Sequence, residues 1–231
     1  MLGTIVNALA IIGGSLVGFF FKKGIPEKYN ETVIHSLSLA VILIGILNAL
    51  KANDILLLIF SLAIGSIVGE FLRIEEKLEK LGDTIQDKVG GLFSSSESNI
   101  SKGFVNTSLI YCIGAMAIMG SLESGLTNNH QTLYAKSVID GISAIAFTSS
   151  MGIGVLFSSV SVFLYQGFIT ITASFMKQFL IDSVVTDMSA VGGLLIFAIG
   201  LNMLQIKRIK VGNMLPSIFI PLIFYIIKSL I

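Results

Sequence analysis

The sequence has little charge, one cysteine, two histidines, three prolines and no tryptophan. Charged residues make up 13% of the 231 residues, against about 25% in ordinary soluble domains. The net charge is +1, from 15 Lys and Arg against 14 Asp and Glu. A soluble globule of this size needs more charged surface, and a nucleic-acid-binding protein needs a basic face. We therefore exclude both classes.

The reactive side chains are too few for the common catalytic and metal sites. Cys112 is the only cysteine, so an intrachain disulfide is excluded, and His35 and His130 are the only histidines. A zinc site needs three or four closely spaced ligands, and an intramembrane aspartyl protease needs two facing Asp, of which only Asp140 qualifies. We expect no metal, no cofactor and no enzymatic activity.

Apolar residues dominate what is present. They make up 54% of the chain, and the mean hydropathy is +0.90. These values are typical of a polytopic membrane protein, so we predict an all-α bundle of transmembrane helices whose main partner is the lipid bilayer. The apolar runs predict about eight spans, two of them within 134–176 with a turn near 152–154; the other six lie at 3–21, 33–50, 55–72, 103–122, 189–206 and 211–227. The first run ends in Lys22-Lys23, which is the wrong polarity for a signal peptide, so we expect it to be retained.

Basic residues near the span ends predict the orientation. With the N-terminus outside, eleven of the 15 Lys and Arg fall on the inner side and four on the outer side. The opposite orientation inverts this bias. We therefore expect both termini outside.

One polar segment, 74–102, divides the chain into a three-span half, 1–73, and a five-span half, 103–231. Its apolar residues recur at helical steps and predict an amphipathic helix on the inner membrane surface; they are Ile74, Leu78, Leu81, Ile85, Val89 and Leu92. A linker and a gate or lipid sensor are both open as its role. The serines of 94–99 predict a flexible turn.

Glycine patterns suggest close helix packing. Gly14 and Gly18, and likewise Gly65 and Gly69, form small-xxx-small faces. Weaker similarities relate the first three spans to the fourth, seventh and eighth, which run in the opposite direction. They would form a degenerate inverted repeat with spans five and six inserted, a pattern common in secondary transporters.

The main candidate for a substrate or ion pathway is Asp140, one helical turn after Lys136. An ionisable side chain inside a span is costly and usually faces a partner or a cavity, although a plain interfacial Lys–Asp pair is equally open. Ser137 and Gly141 continue the same narrow face, and Glu123 in the preceding loop could approach it.

Span six carries polar residues on one stripe: Ser159, Gln166, Thr170 and Ser174. Polar groups in lipid need partners, so the stripe predicts a pathway or contact with a neighbouring helix. Near the inner end of span three, Glu70 is expected to pair with Arg73. Pro221 should kink span eight.

Several segments together resemble a known family. They are Cys112-Ile-Gly-Ala-Met-Ala-Ile-Met-Gly-Ser-Leu-Glu-Ser-Gly125, Lys136-Ser-Val-Ile-Asp-Gly141, Gln166-Gly-Phe-Ile-Thr170 and the run from Gly200-Leu-Asn202 through Gly212-Asn-Met-Leu-Pro216. This combination resembles the domain-of-unknown-function 554 family of bacterial polytopic membrane proteins. The resemblance implies a bacterial inner-membrane protein and implies no substrate. Phe168 stands where the resemblance leads us to expect a small residue.

Two functions are consistent with these sequence features. The first is a transporter or channel-like permease for a small solute or ion. The second is a membrane scaffold that forms homo-oligomers through the Gly-x-x-x-Gly faces.

Overall fold

A computed structural model describes residues 1–22, 27–89 and 100–230, and every regular element in these ranges is helical. The elements are α1 (Leu2–Lys22), α2 (Glu27–Ala49), α3 (Ile55–Leu72), α4 (Ile74–Val89), α5 (Ile100–Cys112), α6 (Ala115–Leu126), α7 (Gln131–Met151), α8 (Gly154–Met176), α9 (Asp182–Met203), α10 (Val211–Met214), a 3-10 helix (Leu215–Phe219) and α11 (Ile220–Leu230). The outer surface is apolar: Phe20, Phe60, Ile67 and Phe71 are all more than 60% exposed. An apolar exterior around buried polar groups is what a lipid solvent selects.

Within the described ranges, six helices are long and apolar enough to cross a membrane: 2–21, 31–49, 55–72, 154–176, 182–203 and 211–228. α5 and α6 make a seventh if they form one crossing, although they bend by 61°. The remaining expected span, the first of the two within 134–176, corresponds to α7. It has 21 residues, enough to cross, but its sequence is too polar to fall in this set.

The bundle has two ends, which the helix directions define. α1 runs parallel to α7, because Gly3 lies against Leu133 while Gly18 lies against Ile145. We call the end where α1 begins the N-terminal face. It also holds the α2–α3, α6–α7 and α8–α9 loops, and Asn53 donates to the backbone oxygen of Ser183 across it. The opposite face holds α4 and the turns at 152–153 and 204–210.

The predicted span at 103–122 is broken, which the sequence reading did not anticipate. α5 ends at Cys112 and α6 begins at Ala115, with Gly114 between them at φ 135° and ψ 152°. Only glycine adopts this backbone conformation readily, so Gly114 sets the position of the break. α5 lies beside the start of α8, as Gly154 against Ile100 shows, and α6 lies beside its end, as Gly125 against Thr170 shows.

The turn predicted near 152–154 is confirmed. α7 and α8 are joined by a turn at Gly152 (φ 88°) and Ile153, within the expected 152–154. The last span is interrupted by the 3-10 helix at 215–219, which has Pro216 in its first turn, and Pro221 lies in the first turn of α11.

All four glycines of the two small-xxx-small pairs face helices of the same chain. A Cβ on Gly14 or Gly18 would meet the backbone carbonyls of Gly141 or Ile145 on α7. A Cβ on Gly65 or Gly69 would meet Ser217 or Asn213 in the last span. A third close approach, Gly45 of α2 against Gly193 of α9, joins two antiparallel helices. The glycines therefore allow intramolecular helix packing.

The amphipathic segment forms α4, which begins at Ile74 as expected. The last predicted apolar position, Leu92, and the turn predicted at 94–99 lie outside the described residues. Glu70 does not pair with Arg73. Arg73 ends α3 in the left-handed conformation, and Glu70 accepts hydrogen bonds from Lys210 (2.9 Å) and Asn213 (2.6 Å) instead.

Candidate functional site

Most of the buried polar side chains among the described residues lie on α1, α7 and α8. Those less than a tenth exposed include Thr4, Asn7, Ser15, Lys136, Ser137, Asp140, Thr148, Ser158, Ser159, Gln166 and Thr170. Water cannot satisfy these groups from a lipid exterior, so each must find a partner within the protein or a ligand. This arrangement makes the α1–α7–α8 contact the candidate site.

The ion pair predicted one turn apart on α7 is present and buried. The Lys136 Nζ lies 3.0 Å from Oδ1 and 2.8 Å from Oδ2 of Asp140. Asn7 on α1 donates from Nδ2 to the same Oδ2 at 3.0 Å. Lys136 is 7% exposed and Asp140 4%, so the protein encloses both members of the pair. A buried pair of this kind needs extra hydrogen bonds to its charged groups, and Asn7 supplies one.

Four of these polar side chains, Asn7, Ser15, Thr148 and Gln166, have atoms without a hydrogen-bond partner among the described residues. Within the described residues, the Asn7 Oδ1 and both amide atoms of Gln166 have no hydrogen-bond partner, although both residues are 0% exposed. An unsatisfied buried amide costs about 1–3 kcal/mol per group. Such groups in a protein core call for a specific explanation, and a bound ligand or ordered water is one.

A contact between two hydroxyl groups joins α1 to α8. The hydroxyl oxygens of Thr4 and Thr170 lie 3.5 Å apart, and Gln166 is one turn from Thr170 on the same stripe. The other predicted site residues face their own or a neighbouring helix. Ser137 donates to Leu133 O, Ser159 donates to Leu156 O, and Gly141 packs on Ala10. Ser174, the last residue of the predicted stripe, is exposed.

The break between α5 and α6 lies beside the ion pair. Tyr111, at the end of α5, is 1% exposed, and its ring centroid is 6.0 Å from the Lys136 Nζ. The Tyr111 hydroxyl accepts from Ser143 of α7 at 3.3 Å. Next to it, a Cβ on Gly114 would have no atom within 4 Å, so the break has free space beside it. A broken helix exposes backbone groups that can bind a ligand.

Glu123 does not join the pair. Its Oε2 accepts from the Thr132 hydroxyl at 2.7 Å, close to the N-terminal face. The sequence reading included Glu123 because it lies near Lys136 along the chain. The sequence patterns did not place Thr4, Asn7 or Tyr111 in the site. No local pattern identifies these three, since each meets the site through a contact across the fold.

A second polar cluster lies on the opposite face, between α4, the loop before α10, and α10 itself. The Glu75 backbone N–H donates to the Asn213 side chain at 2.7 Å, and the Gly212 N–H donates to the Glu75 carboxylate at 2.6 Å. A cavity of about 270 Å³ lies here, and Arg208 pairs with Glu79 at its edge. Burial raises the pKa of Glu75, and the hydrogen bond and ionic attraction from Glu70 raise the pKa of Lys210. These contacts attach α4 to the start of the last span.

Within the described ranges, no three or more His, Cys, Asp or Glu side chains gather to hold a metal ion. The comparisons with known proteins cover nearly the whole chain. The family described as "Protein of unknown function (DUF554)" matches residues 2–226.

Two relatives are similar along nearly their whole length. The "Uncharacterized membrane protein YdfK" of Bacillus subtilis (strain 168) is 33% identical over 226 residues, which are 96% of this chain and 94% of the relative. The "Uncharacterized protein YqgA" of Escherichia coli (strain K12) is 28% identical over 225 residues, which are 95% of this chain and 94% of the relative. No solved structure matches the chain.

Proposed function

The chain belongs to the DUF554 family of multi-pass membrane proteins, and from that premise we propose that it is a transporter or channel-like permease for a small solute or ion. The observation that carries the proposal is the broken helix α5–α6 beside the buried Lys136–Asp140–Asn7 cluster. Ionisable groups and interrupted backbone inside a membrane are tolerated where they line a cavity or a pathway. We do not propose an enzyme, because the cluster pairs its only carboxylate with a lysine.

The architecture supports eight crossings with both termini on one side. α7 lies alongside α1 from Gly3 to Gly18, so it extends as deep into the bilayer as α1 does. Its ion pair contacts Asn7 of α1 and lies beside Tyr111 of α5, while Val138 and Ile142, both more than 60% exposed, face lipid. With this helix counted, and with α5–α6 as one broken crossing, the span directions alternate. The positive-inside rule then puts both termini outside the cell.

The helix directions also support the degenerate inverted repeat. A two-fold axis in the membrane plane would exchange α1 with α5–α6, α7 with α8, α2 with α9, and α3 with the last span. α1 is parallel to α7 and α5–α6 is parallel to α8, as that exchange requires. α2 and α9 are antiparallel through Gly45 and Gly193. Such repeats place substrate sites near the bilayer midplane at the repeat interface.

The scaffold alternative is less well supported. Gly14, Gly18, Gly65 and Gly69 are in contact with helices of the same chain, so a second copy cannot pack on them without displacing these helices. A homo-oligomer would need another surface.

Thiol modification tests whether water reaches the cluster. In a Cys112→Ala background, Ser143→Cys reports on the contact with Tyr111, and Ile142→Cys is its matched control, since Ile142 is 64% exposed on the lipid side. A charged methanethiosulfonate reagent reacts with the thiolate, which forms in water and not in lipid. We expect modification of Ser143→Cys and not of Ile142→Cys in proteoliposomes. If neither cysteine reacts from either side of the membrane, the permease proposal fails.

A further inference from the structure

Four neutral side chains lie at the contact between α1 and α8 without a full set of partners. The Asn7 Oδ1 and the Gln166 amide have no hydrogen-bond partner within the described residues. The Thr4 and Thr170 hydroxyls are 3.5 Å apart, at the limit for a hydrogen bond between two oxygens. All four residues are less than a tenth exposed. Each can contribute an uncharged oxygen.

The helix directions bring these oxygens to two neighbouring levels. α7 is parallel to α1, and α8 returns from α7 through the tight turn at 152–153, so α8 runs opposite to α1. Asn7 is one turn inward from Thr4, and Gln166 is one turn inward from Thr170. The Thr4–Thr170 contact therefore leaves Asn7 and Gln166 at neighbouring depths in the same helix contact.

Asp140 holds the orientation of the Asn7 amide. Only the Nδ2 can donate to the carboxylate, so the Oδ1 must point away from it. The carboxylate polarises the amide through this bond and makes the Oδ1 a stronger acceptor. Lys136 already neutralises Asp140, so the site has no formal negative charge and the free oxygens offer only the negative ends of their dipoles.

We propose that Thr4, Asn7, Gln166 and Thr170 form a binding site for a small monovalent cation, of which Na⁺ is the probe. The inference rests on the proposed permease function and names its ion class. A divalent cation would need carboxylate ligands, and a transition metal would need nitrogen or sulfur ligands. Neutral carbonyl and hydroxyl oxygens replace the hydration shell of alkali ions in channels and transporters.

Stabilisation by sodium tests the site without requiring transport. A ligand that binds only the folded state raises its thermal midpoint with the logarithm of ligand concentration. The full-length protein in detergent can be followed with a dye that fluoresces when it reacts with Cys112, the only thiol. We expect a saturable rise of the midpoint in NaCl and none in choline chloride at equal ionic strength.

Matched threonine variants locate the effect. Thr170→Val removes one ligand oxygen without changing side-chain size. Because losing one contact to a charged group weakens binding, we expect this variant to need at least about tenfold more Na⁺ for the same rise of the thermal midpoint. Thr172→Val is the control, because its hydroxyl only donates to Phe168 O of its own helix and to Met176. If Thr170→Val does not fold, Thr4→Val gives the same test from α1. Equal midpoints in sodium and choline would overturn the site, and this is the result expected if only water fills the contact. An unchanged sodium response of both Thr170→Val and Thr4→Val would also overturn it.

Direct binding of ²²Na⁺ in a scintillation proximity assay provides a second measurement. We expect displacement by unlabelled NaCl but not by choline chloride. Combined with thiol modification, the results separate the two proposals. Sodium binding with an unreactive Ser143→Cys supports the ion site and overturns the permease. A reactive Ser143→Cys without any sodium effect supports the permease and overturns the ion site.

Discussion

The Lys136 ammonium lies within 3.0 Å of both carboxylate oxygens of Asp140, and both side chains are less than a tenth exposed. The two residues are one helical turn apart on α7, so the pair forms locally once α7 is helical. The fold adds the groups that surround it, Asn7 from α1 and the Tyr111 ring from α5. The pair is therefore a feature of one helix that three helices enclose.

Removing one member of this pair should destabilise the protein more than removing both. Asp140→Asn leaves a buried ammonium without its counter-charge, which costs about 3–5 kcal/mol in comparable pairs. Lys136→Met leaves a buried carboxylate with only Asn7 as a donor. The double variant Lys136→Met/Asp140→Asn has no uncompensated charge, so we expect it to unfold at a higher temperature than either single variant.

The measurement is a double-mutant cycle on thermal midpoints. An exposed pair, Arg208 with Glu79, provides the control, because exposed pairs contribute about 0–1 kcal/mol. Additive effects of Lys136→Met and Asp140→Asn would contradict a buried, coupled pair.

Sequence patterns predicted what lies along single helices and missed what the fold brings together. The membrane class, the turn at Gly152 and the Lys136–Asp140 pair follow from local composition and spacing. The break at Gly114 has no charge signal, since the whole run 103–122 is uncharged. The pairing of Glu70 with Lys210 joins residues 140 positions apart, and no pattern in one sequence identifies it.

The two adjacent glycines of α1 should respond differently to the same substitution. A Cβ on Gly14 would collide with the backbone carbonyl of Gly141, which cannot move without separating α1 from α7. A Cβ on Gly13 has no atom within 4 Å. We expect Gly14→Ala to lower the free energy of unfolding by about 1–3 kcal/mol, the usual cost of overpacking.

Gly13→Ala should be neutral or raise the stability by up to about 1 kcal/mol, because alanine favours a helix over glycine. Thermal unfolding of the two variants side by side measures the difference. Equal midpoints would argue against close packing of α1 on α7.

The contact of α4 with the last span should weaken as the pH rises. Burial raises the pKa of Glu75 in the folded state above its ordinary value of 4.5. At a pH between these two pKa values, the folded state therefore binds the proton more tightly than the unfolded state. Stability contributed by this group is therefore present at low pH and is lost as the pH rises through that window.

Glu75→Gln tests this sign. The glutamine can still accept from the Gly212 N–H but never becomes charged. We expect the thermal midpoint of this variant to fall less than that of the wild type as the pH rises from 4.5. The control is Glu76→Gln, at the exposed neighbouring position, whose midpoint should follow that of the wild type. A steeper decline for Glu75→Gln would reverse the assignment.

Labelling of two loops distinguishes eight crossings from seven. If α7 crosses the membrane, the loop before it, at Asn129, and the loop after α9, at Gln205, lie on opposite sides. If α7 does not cross, both lie on the same side. Both residues are exposed, so cysteines at these positions can be labelled.

We expect an impermeant maleimide to label Asn129→Cys on intact cells, and Gln205→Cys only after permeabilisation, in the Cys112→Ala background. Labelling of both positions on intact cells would mean that α7 does not cross. Labelling of Gln205→Cys alone would keep eight crossings and invert the orientation.

The break in the fourth span should depend on the backbone of Gly114 and not on the space around it. Its φ of 135° is a backbone conformation that residues other than glycine rarely adopt. A Cβ at this position would meet no atom within 4 Å. Gly114→Ala should therefore cost about 1–3 kcal/mol through backbone strain alone.

If the chain relieves the strain by continuing α5 into α6, Tyr111 must move relative to Lys136 and Ser143, because its place at the end of α5 depends on the break. The rate at which methanethiosulfonate modifies Ser143→Cys should then change in Gly114→Ala and stay the same in Gly13→Ala, whose glycine has equal space but lies within a regular helix. An unchanged midpoint and an unchanged rate would mean that the break is not coupled to the buried pair.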